Sequence, residues 1–322
     1  MGSKYWKVHI EISNICNLQC SFCPEVVRAK RLMPLDLFAQ AVRSVAPLTR
    51  VVSLHLMGDP LVHPQLDRMV GLCADAGLQI ALVTNGLLLR DKEAALLLHP
   101  AFRQVSFSLH SFADNFGQKD PGPYLERIFR FTEAAFEKRP ELFINYRLWN
   151  LQGPAHTRAS NAAILQRIEE RFGLGEAAEV AAGVNPRERR NYVVKNYLSL
   201  HFETEFVWPA LTLPVLGETG TCYGLKSHFG VLVDGTVVPC CLDKEGDIPL
   251  GNLAERPLAE ILQSPRARAL FEGFRQGKLA EPLCQRCQYI ERFAPSSRPL
   301  PEPDLRLSTK GVQCRPTEEA LC

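Results

Sequence analysis

The apolar run Val8-His-Ile-Glu-Ile12 leads directly into Ser13-Asn-Ile-Cys16-Asn-Leu-Gln-Cys20-Ser-Phe-Cys23, and this junction decides the fold class. The first segment is β-branched at alternate positions, which predicts a buried strand. Three thiols follow it in one short loop. Clustered cysteines at the end of a strand are typical of a metal or iron–sulfur site, so we expect such a site at the carboxyl end of the first strand.

The composition is that of an ordinary folded protein. The chain has 322 residues, 46% of them hydrophobic, with 37 Lys plus Arg against 35 Asp plus Glu. A net charge of +2 is too small to attract nucleic acid through the overall electrostatic field of the protein. No apolar run reaches the roughly 18 to 20 residues of a membrane helix, and the N-terminus lacks the apolar core of a signal peptide. We therefore expect a soluble, cytoplasmic protein with no membrane partner.

The chain contains 11 cysteines, which is a high number for its length. Structural disulfides are rare in a reducing cytosol. The cysteines are therefore interpreted first as metal ligands.

Strand-like and helix-like patterns alternate through the first two thirds of the chain. Strands are predicted at residues 8–12, 51–57, 79–84, 104–109 and 142–149, with a sixth at 198–207. Helices are predicted at residues 35–45, 66–76, 92–98, 124–138 and 162–172. Such βα repeats predict a partial (βα)6 TIM-like barrel, with functional groups at the carboxyl ends of its strands.

The pattern changes near residue 210. Residues 229–239 alternate around Asp234-Gly235, a strong hairpin signal, and helices are predicted at 258–263 and 266–276. We therefore predict three parts: a barrel core at 1–210, a small hairpin-plus-helix auxiliary domain at 211–295 and a Pro-rich tail at 296–322.

The spacing Cys16-x3-Cys20-x2-Cys23 suits a [4Fe–4S] cluster with one iron left open, because a cube of four irons normally takes four cysteines. An open iron can bind a ligand, whereas a fully ligated cluster can only transfer electrons. The alternatives are a zinc site or three unrelated thiols. Structural zinc sites prefer four protein ligands, and this loop supplies three.

At these residues the sequence resembles the radical S-adenosylmethionine (radical SAM) superfamily, whose hallmark is this triplet with an aromatic before the last cysteine, here Phe22. The resemblance covers roughly residues 5 to 210. It implies a [4Fe–4S] cluster that binds SAM, reductive cleavage of SAM to a 5′-deoxyadenosyl radical, and abstraction of a hydrogen atom from a substrate. It also implies an electron donor such as flavodoxin or ferredoxin.

Further matches follow successive predicted strands. Met57-Gly58-Asp59-Pro60 is similar to the family's Gly-Gly-Glu-Pro segment, which implies that Gly58, Asp59 and Pro60 hold the amino group of SAM. Asn85 follows the third strand in Thr84-Asn85-Gly86. Taken singly, such short motifs are most often turns or loops.

The fourth and fifth strands carry two more matches. Ser106-Phe107-Ser108-Leu109-His110 is similar to the family's ribose-contacting Ser-Leu-Asp stretch; His110 replaces the Asp, so Ser108 is the candidate contact. Arg147 stands where relatives often bind the SAM carboxylate. His110 and Tyr146 are candidate catalytic residues, as proton acceptor or substrate contact, although either could be a structural hydrogen bonder.

A second set of cysteines lies in the C-terminal part. Cys222, Cys240, Cys284 and Cys287 resemble the ligands of SPASM and Twitch auxiliary domains, which implies a second [4Fe–4S] cluster. The absence of cysteines at 289–297 resembles the single-cluster Twitch form. A four-cysteine zinc ribbon is the alternative. The remaining cysteines, without an assigned role, are Cys73, Cys241, Cys314 and Cys322.

The spacing of all seven ligands is similar to that of single-Twitch radical SAM alcohol dehydrogenases. This implies oxidation of a small molecule, in which the auxiliary cluster takes the second electron. Radical modification or crosslinking of a ribosomal peptide, or modification of RNA, are alternatives, as is a non-catalytic iron–sulfur or zinc protein. The basic stretch around Arg187, Arg189 and Arg190, with Tyr192, Lys195 and Tyr197, could contact RNA or an acidic leader peptide, or be a solvated loop.

Overall fold

The computed structural model describes residues 4–117, 119–151, 155–175 and 189–293. Ten strands form one sheet in the order β10-β9-β8-β1-β2-β3-β4-β5-β7-β6. The strands are β1 (Lys7–Ile10), β2 (Val51–Ser53), β3 (Gln79–Thr84), β4 (Phe102–Ser108), β5 (Phe143–Leu148), β6 (Asn191–Lys195), β7 (Leu198–Phe202), β8 (His228–Val231), β9 (Thr236–Val238) and β10 (Gly251–Asn252).

Eight α-helices connect or follow these strands within the described ranges. They are α1 (Leu35–Val45), α2 (Leu66–Asp75), α3 (Asp91–Leu97), α4 (His110–Phe116), α5 (Gly122–Lys138), α6 (Ala155–Phe172), α7 (Leu258–Ile261) and α8 (Pro265–Arg275). None of the helices in the described part of the chain is both long and apolar enough to cross a membrane.

The core of the fold is a curved parallel sheet of βα units, as the sequence pattern predicts. Strands β1 to β5 pair in parallel with their neighbours in chain order, and β7 pairs in parallel with β5. The predicted sixth strand is therefore β7. Strand β6, antiparallel to β7, and helix α4 were not predicted, and strand β2 ends at Ser53 rather than at residue 57.

Helix α1 illustrates how an apolar stripe packs a helix against this sheet. Helix α1 buries Phe38, Ala41, Val42 and Val45, which recur at helical spacing. Burying a large apolar side chain contributes roughly 1.5 to 3 kcal/mol, so this stripe is enough to fix the helix against the sheet. The prediction of a partial (βα)6 TIM-like barrel is confirmed.

The hairpin around Asp234-Gly235 is confirmed, and it extends the barrel sheet rather than standing apart from it. Strand β8 pairs in parallel with β1, with Val8 opposite Phe229, and β9 then pairs antiparallel with β8. Gly235 takes a φ of +88° at the turn, a conformation that glycine adopts without strain. The domain limits stay a prediction, and residues 294–322 lie outside the described part.

Alternate side chains of β5 lie in two different environments, the hydrophobic core and the barrel interior. Ile144, Tyr146 and Leu148 pack outward in the hydrophobic core, whereas Asn145 and Arg147 point into the barrel. Successive side chains of a strand point to opposite faces, so the residue number alone places each group inside or outside the barrel.

Candidate active site

Residues 13–23, here called the cluster loop, leave the carboxyl end of β1 and carry the first three cysteines. Asn14 holds the base of the loop: its amide donates to the Ala29 carbonyl oxygen at 2.9 Å, and its Oδ1 accepts from the Arg31 N–H at 2.7 Å. Cys16 and Cys23 are exposed, and Cys20 is half-buried. The thiols are therefore presented at the carboxyl edge of the sheet.

Side chains of helix α4 hold the other end of the cluster loop by hydrogen bonds. Both carboxylate oxygens of Asp114 accept from Ser21, one from its N–H and one from its hydroxyl, each at 2.5 Å. The amide oxygen of Asn115 accepts from the Gln19 N–H at 3.1 Å, and its NH2 donates to the Cys20 sulfur at 3.1 Å. Sequence reasoning missed both residues, because α4 was not predicted and neither belongs to a motif.

The cysteine sulfurs are surrounded by donors. The Cys16 sulfur accepts from the Leu18 N–H at 3.5 Å and from the Asn85 amide at 3.7 Å. A hydrogen bond between Cys20 and Cys23 lowers the pKa of Cys23 and raises that of Cys20; burial adds to the latter. Hydrogen bonds to sulfur suit thiolate ligands, so this donor set fits an iron–sulfur cluster.

Gly58 brings the loop after β2 against the cluster loop. Its φ is +74°, and a Cβ at this position would lie 2.5 Å from the Ser13 carbonyl oxygen and 2.7 Å from that of Ile15. The next N–H, that of Asp59, donates to the Ile15 carbonyl oxygen at 2.9 Å. Only glycine permits this approach.

The Asp59 carboxylate is buried and fully engaged within the protein. It accepts from the Leu61 N–H at 2.9 Å, from the Thr84 hydroxyl at 2.8 and 3.0 Å, and from the Asn85 N–H at 2.8 Å. Burial raises its pKa, and these hydrogen bonds oppose that rise. The side chain thus joins two loops, and Pro60 begins a buried single turn of 3-10 helix behind it.

Asn85 connects this segment to the cluster loop. Its amide NH2 donates to Asn17 Oδ1 at 2.9 Å, in addition to the contact with Cys16. The Tyr124 hydroxyl donates to the Asn85 carbonyl oxygen at 2.7 Å, which anchors the turn to α5. Ser108 is half-buried at the carboxyl end of β4, and its carbonyl oxygen accepts from the Ser111 hydroxyl at 2.6 Å.

His110 lies beside the cluster loop in a supporting position. Its ring is buried, its Nδ1 is 3.0 Å from the Arg147 carbonyl oxygen, and its centroid is 4.8 Å from that of Phe22. Burial lowers its pKa to about 4, so the imidazole is neutral near pH 7. The contacts support Phe22, which precedes Cys23, rather than a reacting group.

Tyr146 faces away from the site, contrary to the expectation that it contacts the substrate. Its side chain is buried on the outer face of β5, packed against Phe107 and Phe129, and its hydroxyl is 2.7 Å from that of Thr132 on α5. The reason is the period of two along a strand: Arg147, the next residue, takes the inward direction.

Arg147 is a buried cation between the cluster loop and the barrel interior. Its guanidinium stacks on Trp149, with 3.5 Å between the guanidinium carbon and the ring centroid, and its Nε has no hydrogen-bond partner among the described residues. Burial lowers its pKa to about 10, which leaves it charged at neutral pH. Its carbonyl oxygen lies 3.0 Å from Nδ1 of His110, and the His110 ring packs against Phe22 of the cluster loop.

A pocket, here called the barrel cavity, lies inside the sheet. Polar and charged side chains from several strands line it together with aliphatic and aromatic ones. The polar and charged lining residues are Lys7, Ser53, His55, Arg103, Gln104, Ser106, Asn145, Arg147 and His201. Polar groups inside a barrel are costly to bury without partners, so this interior is suited to a polar ligand.

The four C-terminal cysteines line a second, largely apolar cavity. The four cysteines border one common space, and burial together with the like charges of Cys222, Cys284 and Cys287 raises the pKa of Cys240. In the described ranges, no three His, Cys, Asp or Glu side chains are grouped tightly enough for a single metal ion. Four converging thiols around a wider space fit the ligand set of a cube.

Two of the four cysteines without an assigned role lie in the described part of the chain. Cys73 is fully buried in α2, as a small core residue, and Cys241 is buried beside the second cavity. Cys314 and Cys322 lie outside the described residues.

The basic stretch is largely engaged in contacts within the protein. Arg190 lies 3.2 Å from the Glu203 carboxylate. Arg189 stacks on Tyr192 at 4.6 Å, and the Tyr197 ring packs edge-on against an aromatic ring of β5, with 4.7 Å between the centroids. Lys195 is exposed, and Arg187 lies outside the described residues. These contacts favour a structural role over RNA binding.

Comparison with known families agrees with this geometry. Residues 10–150 match the radical SAM superfamily, and residues 222–288 match SPASM, an iron–sulfur cluster-binding domain. Both cysteine sets lie within the matched ranges. No curated protein sequence matches the chain significantly.

Several solved structures share the fold. BtrN in complex with AdoMet and 2-DOIA is 16% identical with a TM-score of 0.57, over 89% of this chain and 94% of that one. SuiB of Streptococcus suis bound to the precursor peptide SuiA is 15% identical with a TM-score of 0.58, over 90% and 71%. Native anSMEcpe with bound AdoMet and Kp18Cys peptide is 15% identical with a TM-score of 0.56, over 89% and 87%. At these identities the similarity shows the fold.

Proposed function

Because the chain is a radical SAM enzyme with a SPASM-type iron–sulfur cluster-binding domain, we propose that it oxidises a small molecule held in the barrel cavity. The observation that carries this proposal is the position of that cavity: Arg147 lines its wall, and the Arg147 carbonyl oxygen contacts His110, whose ring packs against Phe22 of the cluster loop. When bound, the cluster and SAM supply a 5′-deoxyadenosyl radical that abstracts a hydrogen atom from the substrate.

In this proposal Cys16, Cys20 and Cys23 bind the first [4Fe–4S] cluster, and the neighbouring loops bind SAM. Gly58 and Asp59 hold the strand-end loop against the cluster loop, with Pro60 behind them. Since the Asp59 carboxylate already accepts from three donors, Leu61 N–H, the Thr84 hydroxyl and Asn85 N–H, the backbone of this segment, rather than its side chain, faces the cofactor.

The remaining cofactor contacts come from neighbouring strand ends. Asn85 lies against the cluster loop, and Ser108 ends β4 next to it, where each offers a polar group to the nucleoside part of SAM. Arg147 offers the SAM carboxylate a guanidinium whose Nε has no partner among the described residues, since a buried cation is stable only near a negative charge. Phe22, held by His110, shields this side of the loop.

Cys222, Cys240, Cys284 and Cys287 bind the auxiliary [4Fe–4S] cluster of the single-cluster Twitch type. Full ligation by four cysteines leaves no open iron, which suits electron transfer. Loss of one hydrogen atom followed by one electron and one proton amounts to a two-electron oxidation. The electrons that start the cycle come from a reductant such as flavodoxin or ferredoxin.

Anaerobic reconstitution tests the proposal. With dithionite and SAM, we expect 5′-deoxyadenosine and methionine, together with about eight irons per chain, four for each cluster. Absence of both products would exclude SAM cleavage by this protein. A content of about four irons plus one zinc per chain would exclude the auxiliary [4Fe–4S] cluster.

A peptide substrate is the second candidate, because two of the structures that share the fold contain peptides. Six strands, β1 to β5 and β7, line the barrel cavity, and a position enclosed in this way favours a small molecule over a peptide. Deuterium transfer into 5′-deoxyadenosine from labelled peptide pools, compared with labelled small-molecule pools, separates the two candidates.

A further inference from the structure

Glu11 is a buried carboxylate that neither proposed cluster site uses as a ligand. It lies directly after β1, and its side chain is fully buried. Its Oε1 accepts from the Met57 N–H at 3.2 Å, and its Oε2 accepts from the Val233 N–H at 3.0 Å. One guanidinium nitrogen of Arg28 donates to both oxygens, at 2.9 and 3.0 Å. A single side chain therefore joins three segments that are far apart in the sequence.

Arg28 extends these contacts to the C-terminal part of the chain. Its Nε donates to the Lys244 carbonyl oxygen at 2.6 Å, and its backbone N–H donates to one carboxylate oxygen of Glu245 at 3.2 Å. The Val27 N–H donates to the other oxygen of Glu245 at 3.1 Å. The Lys244 Nζ donates to the Glu25 carbonyl oxygen at 2.7 Å. Side chains and backbone thus bind residues 25–28 to residues 244–245.

The two bonded segments each follow a proposed cluster ligand. Residues 25–28 come directly after Cys23, which ends the cluster loop, and residues 244–245 come shortly after Cys240. The Asp243 N–H donates to the Cys240 carbonyl oxygen at 3.4 Å, which keeps that segment folded close to the cysteine. The contact therefore joins the surroundings of one cysteine set to those of the other.

The two backbone donors to Glu11 make the same connection. Met57 precedes Gly58, which lies against the cluster loop. Val233 belongs to the turn between β8 and β9, and Cys240 follows β9. Glu11 therefore holds the hairpin that leads to an auxiliary ligand against the loop that approaches the first cysteine set.

Buried apolar side chains fill the space around these hydrogen bonds. They come from both bonded segments, from the loop after β2 and from the hairpin, and Cys240 and Cys287 pack against them. The members of this group are Val26, Leu56, Met57, Leu232, Val238, Cys241, Leu242 and Tyr289. Hydrogen bonds and ion pairs next to such a dry group are stronger than in water, so the connection is rigid.

The charges of this connection are balanced and poorly accessible. Glu11 and Glu245 are paired with Arg28 and Lys244, and the four side chains are between 0 and 14% exposed. Burial raises the pKa of Glu11, and its hydrogen bonds with Arg28, Val233 and Met57 oppose that rise. A buried ion pair adds little stability compared with apolar packing, but it satisfies its members in one geometry only. Its effect is therefore on geometry.

From these contacts we propose that Glu11 and Arg28 are positioning residues, which hold the auxiliary cysteines at a fixed distance and orientation from the cluster loop. The inference rests on the proposed function, because it requires both clusters. In that oxidation the substrate radical gives one electron to the auxiliary cluster, which passes from its oxidised to its reduced state, and one proton to water. A misplacement of about 1 Å can lower a rate about 100-fold, so the separation of the two sites has to be fixed.

The magnetic interaction between the two reduced clusters tests the proposal without a substrate. We would reduce anaerobically reconstituted, SAM-free enzyme with titanium(III) citrate and measure the dipolar broadening of its electron paramagnetic resonance signals. Glu11→Gln has one acceptor oxygen for three donors, and Arg28→Gln loses the ion pair. Each should lower the broadening at least twofold, because the released segments move apart. Arg28→Lys keeps the charge and should retain part of the broadening.

Matched controls are available in a second ion pair. Glu133 and Arg171 lie 2.7 Å apart and join α5 to α6, so Glu133→Gln and Arg171→Lys should show the broadening of the unmodified enzyme. Variants are compared at about eight irons per chain, so that a lost cluster is not mistaken for a displaced one. If neither Gln variant retains this content, Arg28→Lys decides.

Unchanged broadening in the iron-complete Glu11 and Arg28 variants would overturn the proposal, as would the absence of any interaction between the two clusters in the unmodified enzyme. Formation of 5′-deoxyadenosine separates this failure from that of the proposed function. If the unmodified enzyme cleaves SAM while the broadening is unchanged in the variants, the positioning role is wrong and the radical SAM mechanism stands. If the unmodified enzyme cleaves no SAM, the proposed function fails, whatever the spectra show.

Discussion

The Asn115 side chain donates a hydrogen bond to the Cys20 sulfur at 3.1 Å, although 95 residues separate the two in the chain. The same side chain accepts from the Gln19 N–H, so one residue of α4 holds both the backbone of the cluster loop and the sulfur of a proposed cluster ligand. A donor to sulfur stabilises the reduced, more negative form of a cluster.

Replacement of this donor should therefore alter the potential of the cluster. We expect Asn115→Asp, which keeps the shape and loses the NH2, to shift the reduction potential to a more negative value and slow SAM cleavage. Redox titration followed by electron paramagnetic resonance measures the shift. The exposed Gln166→Ala on α6 is the control. An unchanged potential in Asn115→Asp would show that the contact does not act on the cluster.

The two cysteine sets should be separable by mutation. Cys16→Ala, Cys20→Ala or Cys23→Ala should abolish 5′-deoxyadenosine formation, because these are the three ligands that we propose for the SAM-binding cluster. Cys284→Ala or Cys287→Ala should keep some SAM cleavage and lose product, with about four irons lost in each case.

Cys73→Ala is the matched control, since Cys73 is buried in α2 and is not a proposed ligand. It should keep about eight irons per chain. Product formation that persists in Cys284→Ala would contradict the role of the auxiliary cluster as electron acceptor.

Gly58 should tolerate no side chain. Gly58→Ala places a Cβ 2.5 Å from the Ser13 carbonyl oxygen at a positive φ, so we expect a loss of roughly 1 to 3 kcal/mol of stability and at least tenfold weaker SAM binding. Thermal unfolding and equilibrium dialysis with SAM measure both.

Gly71→Ala is the matched control for this substitution. Gly71 lies within α2, and a methyl group added there would meet nothing within 4 Å, so the change should stabilise the helix by about 0.5 to 1 kcal/mol. Equal behaviour of the two variants would refute the close approach.

Adjacent residues on β5 should behave differently because they point to opposite faces. Tyr146→Phe removes the contact with the Thr132 hydroxyl and should cost about 0.5 to 1.5 kcal/mol of stability with unchanged SAM cleavage. Arg147→Met should weaken SAM binding about tenfold, since one charge-assisted hydrogen bond is worth roughly 1.5 kcal/mol or more. A loss of SAM cleavage in folded Tyr146→Phe would place Tyr146 in the site after all.

Acidification should destabilise the protein through His110. Its pKa is about 4 in the folded protein because of burial, against 6.5 when unfolded, so the unfolded chain binds the proton first as the pH falls. Its contribution to stability is complete above pH 6.5 and is lost as the pH falls toward 4. Between about pH 7.5 and 5.5, a window that spans the unfolded pKa, the melting temperature of His110→Gln should fall less than that of the unmodified enzyme. Parallel curves would exclude this contribution.

Local patterns predicted much of the fold. Helix α1 begins and ends where its apolar spacing indicates, and strand β3 matches its predicted limits. Helix α4 was missed because its residues, beginning at His110, show no clear apolar period; its contacts with the cluster loop are what place it.

The spacing of Cys16, Cys20 and Cys23 is local, so the sequence alone determined the family, the βα class and the presence of two cysteine sets. Only the tertiary structure decided which polar side chains share the barrel interior, because that depends on the register of strands far apart in the chain. Parallel pairing of β1 with β8 joins the hairpin to the barrel, and the inward turn of Arg147 leaves Tyr146 outside. The register of the strands determines which charged side chains lie inside the barrel, and a short sequence motif does not contain that information.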